Sequence, residues 1–336
     1  MSENTPNSQP VEFGLSGDKE LEARIKVAEL GLGIVTPAQR FQEAALLIDR
    51  PYLEVSAVVD PDNKHPERAF GHKEWLGHLM ARQFTRDDND TSLSFALLVG
   101  IHRSYVRPVD SSQAGVFMEG KNWYRSGSQD ADPVLGYIDL TPVEEKVIRA
   151  NPHVTFQVSK NSRDGQGWIT YARMDSVERR KAVEGVCNWY NEARLVYNDP
   201  VLLAAELQRR IVSLHPFALG VNGRPSRAAQ NWSLENAQLP PSAPADFDKD
   251  VVLDVHAWRN EVAAGQRWYA HLGRLSVARQ TDPSVIFDVQ PQQDYYQEVL
   301  RHSVAPPDRL TPGAQHDRNA YMRFAKQLRQ GKLAAV

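Results

Sequence analysis

Residues 199–236 constrain this chain more than any other stretch. Asp199-Pro200 opens a helix, because proline at the first turn lacks only an N–H that would have no partner there. Leu203, Leu207, Ile211 and Leu214 recur at spacings of four, four and three, so they form one stripe. The helix runs into His215-Pro216, where proline stops it, and Pro225 stands at the first turn of the next helix, which extends to about residue 236. The spacing predicts helices over 201–214 and 225–236 joined by a tight loop, with His215 at the C-terminal end of the first.

That loop, LHPFALGVNGRPSR over 214–227, combines a histidine, two glycines near an asparagine, and two arginines. The first N–H groups of a helix have no internal partners and point beyond its end, where the helix dipole favours an anion. Gly220 and Gly223 let the backbone approach such an anion closely, and Arg224 and Arg227 add forked donors suited to phosphate. Asn222 can hold the turn by bonding local backbone. His215 stands at the mouth of this nest, and imidazole can take a proton from a hydroxyl near pH 7 as that oxygen attacks phosphorus. A base, an anion cradle and two cations in one loop suit phosphoryl or nucleotidyl transfer, in which positioning and charge stabilisation dominate.

The surrounding chain reads as mostly α. Helical patterns cover roughly 18–31, 37–49, 67–85 and 93–106, after a polar lead over 1–17 that reads as disordered. The polar stretch 87–92 reads as a boundary, and the segment from 106 to about 140 as irregular. VTFQVS (154–159) and WITYA (168–172) flank KNSRDGQG and predict a β-hairpin. Asp175 and Glu178 stand at capping-box spacing before a helix whose face carries Val183, Val186, Tyr190 and Ala193. Residues 243–290 are mixed, and 293–303 and 314–331 read as helical.

Composition excludes several classes. A net charge of -3 argues against a bulk affinity for nucleic acid, which needs a basic field. The single Cys187 forms no internal disulfide, and no Cys/His cluster has zinc spacing. There is no apolar run of membrane-span length, and the opening MSENTPNSQP lacks signal-peptide order. A cytoplasmic protein without membrane or nucleic-acid partners is expected, although leaderless export leaves no trace in a sequence. His65, His72 and His78 are seven and six residues apart, which suits a solvated helix face better than a metal site. His102 reads as a satisfied core histidine. Lys160 and Arg163 are read as a solvated hairpin tip.

HPFALGVNGRPSR resembles the signature of the Fic family: His-Pro-Phe, one residue, Asp or Glu, Gly-Asn-Gly-Arg, two residues, Arg. Arg227-Ala-Ala-Gln-Asn231 is similar to the continuation of the family's next helix, and Leu239-Pro240-Pro241 falls where many members end it. Weaker likenesses follow in order at 97–106, 114–125 and 295–304. The resemblance implies a Fic-like helical bundle over 91–325 with a small β-hairpin flap, an insertion at about 243–290 and an N-terminal helical extension over 18–90. It implies His215 as general base, Gly220, Asn222, Gly223 and Arg224 around a diphosphate, and Arg227 at its outer end. Phe217 would be a core anchor, Asn231 would bond within the site or stabilise the helix, and Trp168 and Tyr171 of the hairpin, next to the site, would be flap contacts or equally ordinary hairpin packing.

Two departures matter. Leu219, or Ala218 if the gap falls differently, replaces the acidic residue that holds Mg²⁺ in the family, and Val221 is an extra residue in the nest. Leucine offers a magnesium ion no oxygen, so a Mg²⁺ cofactor is doubtful, while a nucleotide co-substrate fits. The family's inhibitory motif is absent, since Arg180 stands where Ser or Thr would precede Glu184-Gly185. Three readings stay open. One is a transferase moving AMP or a related phosphate-containing group to a hydroxyl, on a protein target. The others are metal-independent chemistry on a small molecule, and a binding module with little catalysis.

Overall fold

The computed structural model describes residues 37–48, 70–88, 90–118, 142–158, 167–218, 222–244 and 247–281, with positions 19, 23 and 68. Its helices are α1 (Pro37–Leu47), α2 (His72–Arg86), α3 (Phe95–Val106), α4 (Pro142–Ala150), α5 (Ser176–Ala193), α6 (Pro200–Leu214), α7 (Gly223–Asn236) and α8 (Val255–Thr281). The one sheet among the described residues is an antiparallel hairpin of β1 (Val154–Val158) and β2 (Gly167–Tyr171). The fold is mainly α.

α6 is central because most of its residues are buried, and its apolar side chains enter three separate clusters. Leu203, Leu207, Ile211 and Leu214 enter the main core with α1, α2, α3, α5, α7 and α8. Val201, Ala204 and Ala205 pack with Leu234 of α7 and Trp258 and Val262 of α8. Val212 packs with Ile148 of α4 and with Val154 and Tyr171 of the hairpin. Asp199 starts the helix as the sequence demands, its Oδ1 accepting from Val201 N at 2.9 Å and Leu202 N at 3.0 Å. α5 begins with the expected capping box of Asp175 and Glu178, and buries Val183, Val186, Tyr190 and Ala193.

The solvated-face expectation for the early histidines fails at His78, which is fully buried. Its Nε2 meets Glu43 Oε2 at 2.9 Å, and its Nδ1 meets Tyr105 Oη at 3.1 Å. Glu43 of α1 also accepts from Arg82 Nε at 3.1 Å and Arg86 Nη2 at 2.8 Å, while Arg82 forks onto both Glu235 oxygens at 2.8 Å. His78, Arg82 and Arg86 are four apart, so they form one stripe facing α1. Burial alone would raise the Glu43 carboxyl, but Arg82, His78 and Arg86 together hold it well below the usual carboxylate range. His72 is exposed; His65 lies outside the described residues.

α4 and α8 were not legible. The apolar positions of α8, Trp258, Val262, Trp268 and Leu272, are interrupted at Gly265, where α8 crosses the 240–244 segment. A Cβ there would lie 2.6 Å from Pro244 N and 2.7 Å from Ala243 C, while Ser242 Oγ donates to Val262 O at 2.7 Å. The readings of helix over 18–31, 293–303 and 314–331, and of the hairpin tip, fall on residues outside those described.

Gly265→Ala should destabilise the protein by about 1–3 kcal/mol in urea unfolding, since overpacking against backbone exceeds the roughly 1 kcal/mol gained in helix propensity. Unchanged or raised stability would show that the crossing has room. Acid should destabilise the fold as well. Burial pushes His102 down to about 3, below its ordinary 6.5, so unfolding takes up a proton between those values. Stability from this group is complete above pH 6.5 and falls by up to about 1.4 kcal/mol per pH unit as the pH drops toward 3. Melting curves of the protein and of His102→Gln from pH 8 to 5 should show the variant with the shallower acid limb.

Candidate functional site

His215 ends α6 in the left-handed conformation, φ 46 and ψ 58, with its N–H on Val212 O at 3.2 Å. A non-glycine residue there costs about 1–2 kcal/mol. It is 93% buried, and its ring stacks on Tyr171 at the end of β2, with centroids 4.2 Å apart and planes 29° apart. Arg179 of α5 closes the helix end: its Nη1 donates to Leu214 O at 2.7 Å and His215 O at 3.1 Å. Its Nη2 reaches Ala172 O at 3.1 Å, just past β2. The sequence reading passed over Arg179. The signal was its place on the buried stripe of α5, four residues before Val183.

Phe217 is fully buried and pairs with Phe117 as a short bridge, flanked by Met118 N to Pro216 O and Ala218 N to Val116 O, both 3.0 Å. Its ring stacks on His102 at 4.3 Å. His102 Nδ1 accepts from Gly115 N at 3.0 Å, which puts the ring proton on Nε2. Asn222 is fully buried and its amide acts as a spare peptide group. Oδ1 accepts from Phe217 N and Nδ2 donates to Phe217 O, both at 2.7 Å. This closes the loop across five residues and leaves α7 with no side-chain cap bond from Asn222.

Gly223 opens α7, and a Cβ on it would meet no described atom within 4 Å. Arg224 Nη2 lies 3.3 Å from Glu74 Oε2 of α2. Arg227 Nη1 donates to Ile48 O, just past α1, at 2.8 Å. Burial pushes the Tyr105 hydroxyl up to about 12, opposed by Arg227 and Arg224, so both cations act on the same buried phenol. Part of each guanidinium is thus engaged by the N-terminal helices.

Asn231 accepts from Ser242 N at 2.8 Å and fastens the segment after α7 to that helix. Trp168 pairs by backbone with Gln157, and its side chain is outside the description. Leu219, Gly220 and Val221 also lie outside the described residues. Residues 215–227 contain no carboxylate, and the carboxylate that reaches Arg224 belongs to Glu74 of α2.

No family model matches the chain. The uridine 5'-monophosphate transferase of Xanthomonas campestris pv. campestris (strain 8004) is 51% identical over 41 residues, 12% of this chain and 8% of that protein's length. The similar solved structures include Fic proteins. Fic-1 (residues 134–508) of C. elegans is 16% identical with a TM-score of 0.42, over 78% of this chain and 71% of that one. A Fic domain containing signaling protein of Bacteroides thetaiotaomicron VPI-5482 is 14% identical with a TM-score of 0.42, over 77% and 96%. A Fic family protein of Desulfovibrio desulfuricans G20 is 13% identical with a TM-score of 0.37, over 97% and 78%.

Asn222→Asp tests the closure of the loop. The change removes the donor to Phe217 O and sets a carboxylate oxygen against a buried carbonyl. Urea unfolding should show a loss of about 1–3 kcal/mol, the cost of a buried group left unsatisfied. Equal stability would mean that the loop closes without the amide.

Proposed function

We propose that the protein is a Fic-type transferase that moves a nucleoside monophosphate, or a related phosphate-containing group, to a hydroxyl on a target protein. The observation that carries this is the placement of His215: a histidine held at the end of α6 in a conformation most residues avoid, stacked on Tyr171, seven residues before Asn222, whose side chain makes no cap bond to α7. In this reading the hydroxyl oxygen attacks the phosphorus, His215 takes its proton, and the bond to the departing phosphate breaks. Backbone N–H groups at the start of α7, with Arg224 and Arg227, hold the phosphate oxygens. Tyr171 and the hairpin define the side from which the hydroxyl enters. The local match to a protein named for uridine monophosphate transfer supports a nucleotide as the donor and makes UTP a donor to test beside ATP.

A second reading is favoured by one specific feature. Leu219 stands where the Fic signature has its acid, so the leaving group has no protein-held metal in the loop. A substrate whose leaving group needs less neutralisation than pyrophosphate would suit such a site, and a small-molecule acceptor would then replace the protein.

Both readings are separated by mass spectrometry of candidate target proteins incubated with ATP, UTP, GTP and CTP, with and without Mg²⁺. The first predicts a nucleoside monophosphate adduct that forms with at most weak dependence on Mg²⁺. His215→Ala should lower its rate by about 10²–10⁴, the range for a general base, with little change in nucleotide affinity. Unchanged turnover in that variant would contradict the role of His215. Activity abolished by EDTA would contradict the metal-independent reading.

A further inference from the structure

We infer that Arg179 is a positioning residue for His215, locking the histidine backbone and the end of the hairpin into one arrangement. This rests on the reading of His215 as the base.

The case begins with the oddity of the residue. Arg179 is fully buried, and its described hydrogen bonds all go to main-chain carbonyls: Leu214, His215 and Ala172. Burial disfavours its charge and lowers the guanidinium from its ordinary value. Closing a helix end rarely needs such a group. A glycine in the left-handed position does it with no cation. Here that position is held by a histidine, and the last carbonyls of α6 are met instead by a charge from another helix.

The planar fork explains the choice. One nitrogen bridges two successive carbonyls at the end of α6, and another reaches a carbonyl one residue beyond Tyr171. A lysine ammonium offers three donors from a single point and an amide has one donor group, so neither holds both segments as firmly as the fork does. The two things fixed are the backbone that carries the imidazole and the backbone next to the ring stacked on it. With the fork in place, His215 and Tyr171 have one mutual geometry. Without it, the left-handed turn has lost the bonds to its two carbonyls and can relax to another conformation.

The test uses the full chain with Arg179→Met and Arg179→Lys, and two independent readouts. The first is the NMR signal of the His215 Cε1 proton, assigned by its loss in His215→Asn. Stacking on Tyr171 displaces this signal by ring current. The Met variant should lose that displacement and the Lys variant should recover part of it. The second is transfer kinetics: kcat should fall by about 10²-fold in the Met variant, the scale of a small misplacement of a reacting group, with nucleotide Kd unchanged and partial recovery in the Lys variant. Melting curves check folding, and if the Met variant does not fold, the Lys variant must show an intermediate signal and an intermediate kcat. A His215 signal unmoved in both variants would overturn the inference. A signal that moves while turnover stays the same would uphold the positioning and overturn His215 as the base.

Discussion

Two buried helices, α6 and α7, must be joined across a short loop without stranding polar backbone in the core. Everything at the candidate site follows from how the chain meets that constraint. At the end of α6 the carbonyls of Leu214 and His215 are met by Arg179. Before α7 the Phe217 peptide groups are met by the Asn222 amide. Both are side chains standing in for backbone partners, because an unsatisfied buried N–H or C=O costs about 1–3 kcal/mol. Once Asn222 bonds backward to Phe217, its side chain makes no cap bond to α7.

The N-terminal helices bear on the same site. Glu74 of α2 lies against Arg224, and the carbonyl of Ile48 accepts from Arg227. α1 is in turn fastened by Glu43 to His78, Arg82 and Arg86 of α2, and Arg82 reaches Glu235 at the far end of α7. Any anion that uses both arginines shares them with these contacts. The contact between Arg224 and Glu74 at 3.3 Å, with Glu74 half-exposed, is the weaker of the two. The bond from buried Arg227 to a helix-end carbonyl is the firmer one.

Much of this was legible in the sequence, and the parts that were not have physical reasons. The Leu stripe of α6, its Asp-Pro start and its His-Pro stop, with Pro225 beyond, set the bounds of α6 and α7 to within two residues. The Asn222 backbone bond and the core place of His102 followed from residue type and neighbours, and the core place of Phe217 from the resemblance to the Fic signature. His78 was misread because a histidine, two arginines and a glutamate on α2 and α7 look solvated until α1 brings Glu43 among them. α8 escaped because its stripe breaks at Gly265, a residue whose size is set by a crossing segment and not by helix preference. Arg179 escaped because a cation on an apolar stripe has no local reason; its reason is the far end of another helix.

The central claim is that His215 faces a phosphate held at the start of α7. A crystal structure with a bound non-hydrolysable nucleoside triphosphate tests it most directly. The account predicts phosphate oxygens on the main-chain N–H groups at Gly223 and on the Arg224 guanidinium, with the transferable phosphorus on the side facing the His215 imidazole. A nucleotide bound elsewhere, or bound with its phosphates turned away from α7 and His215, would contradict it.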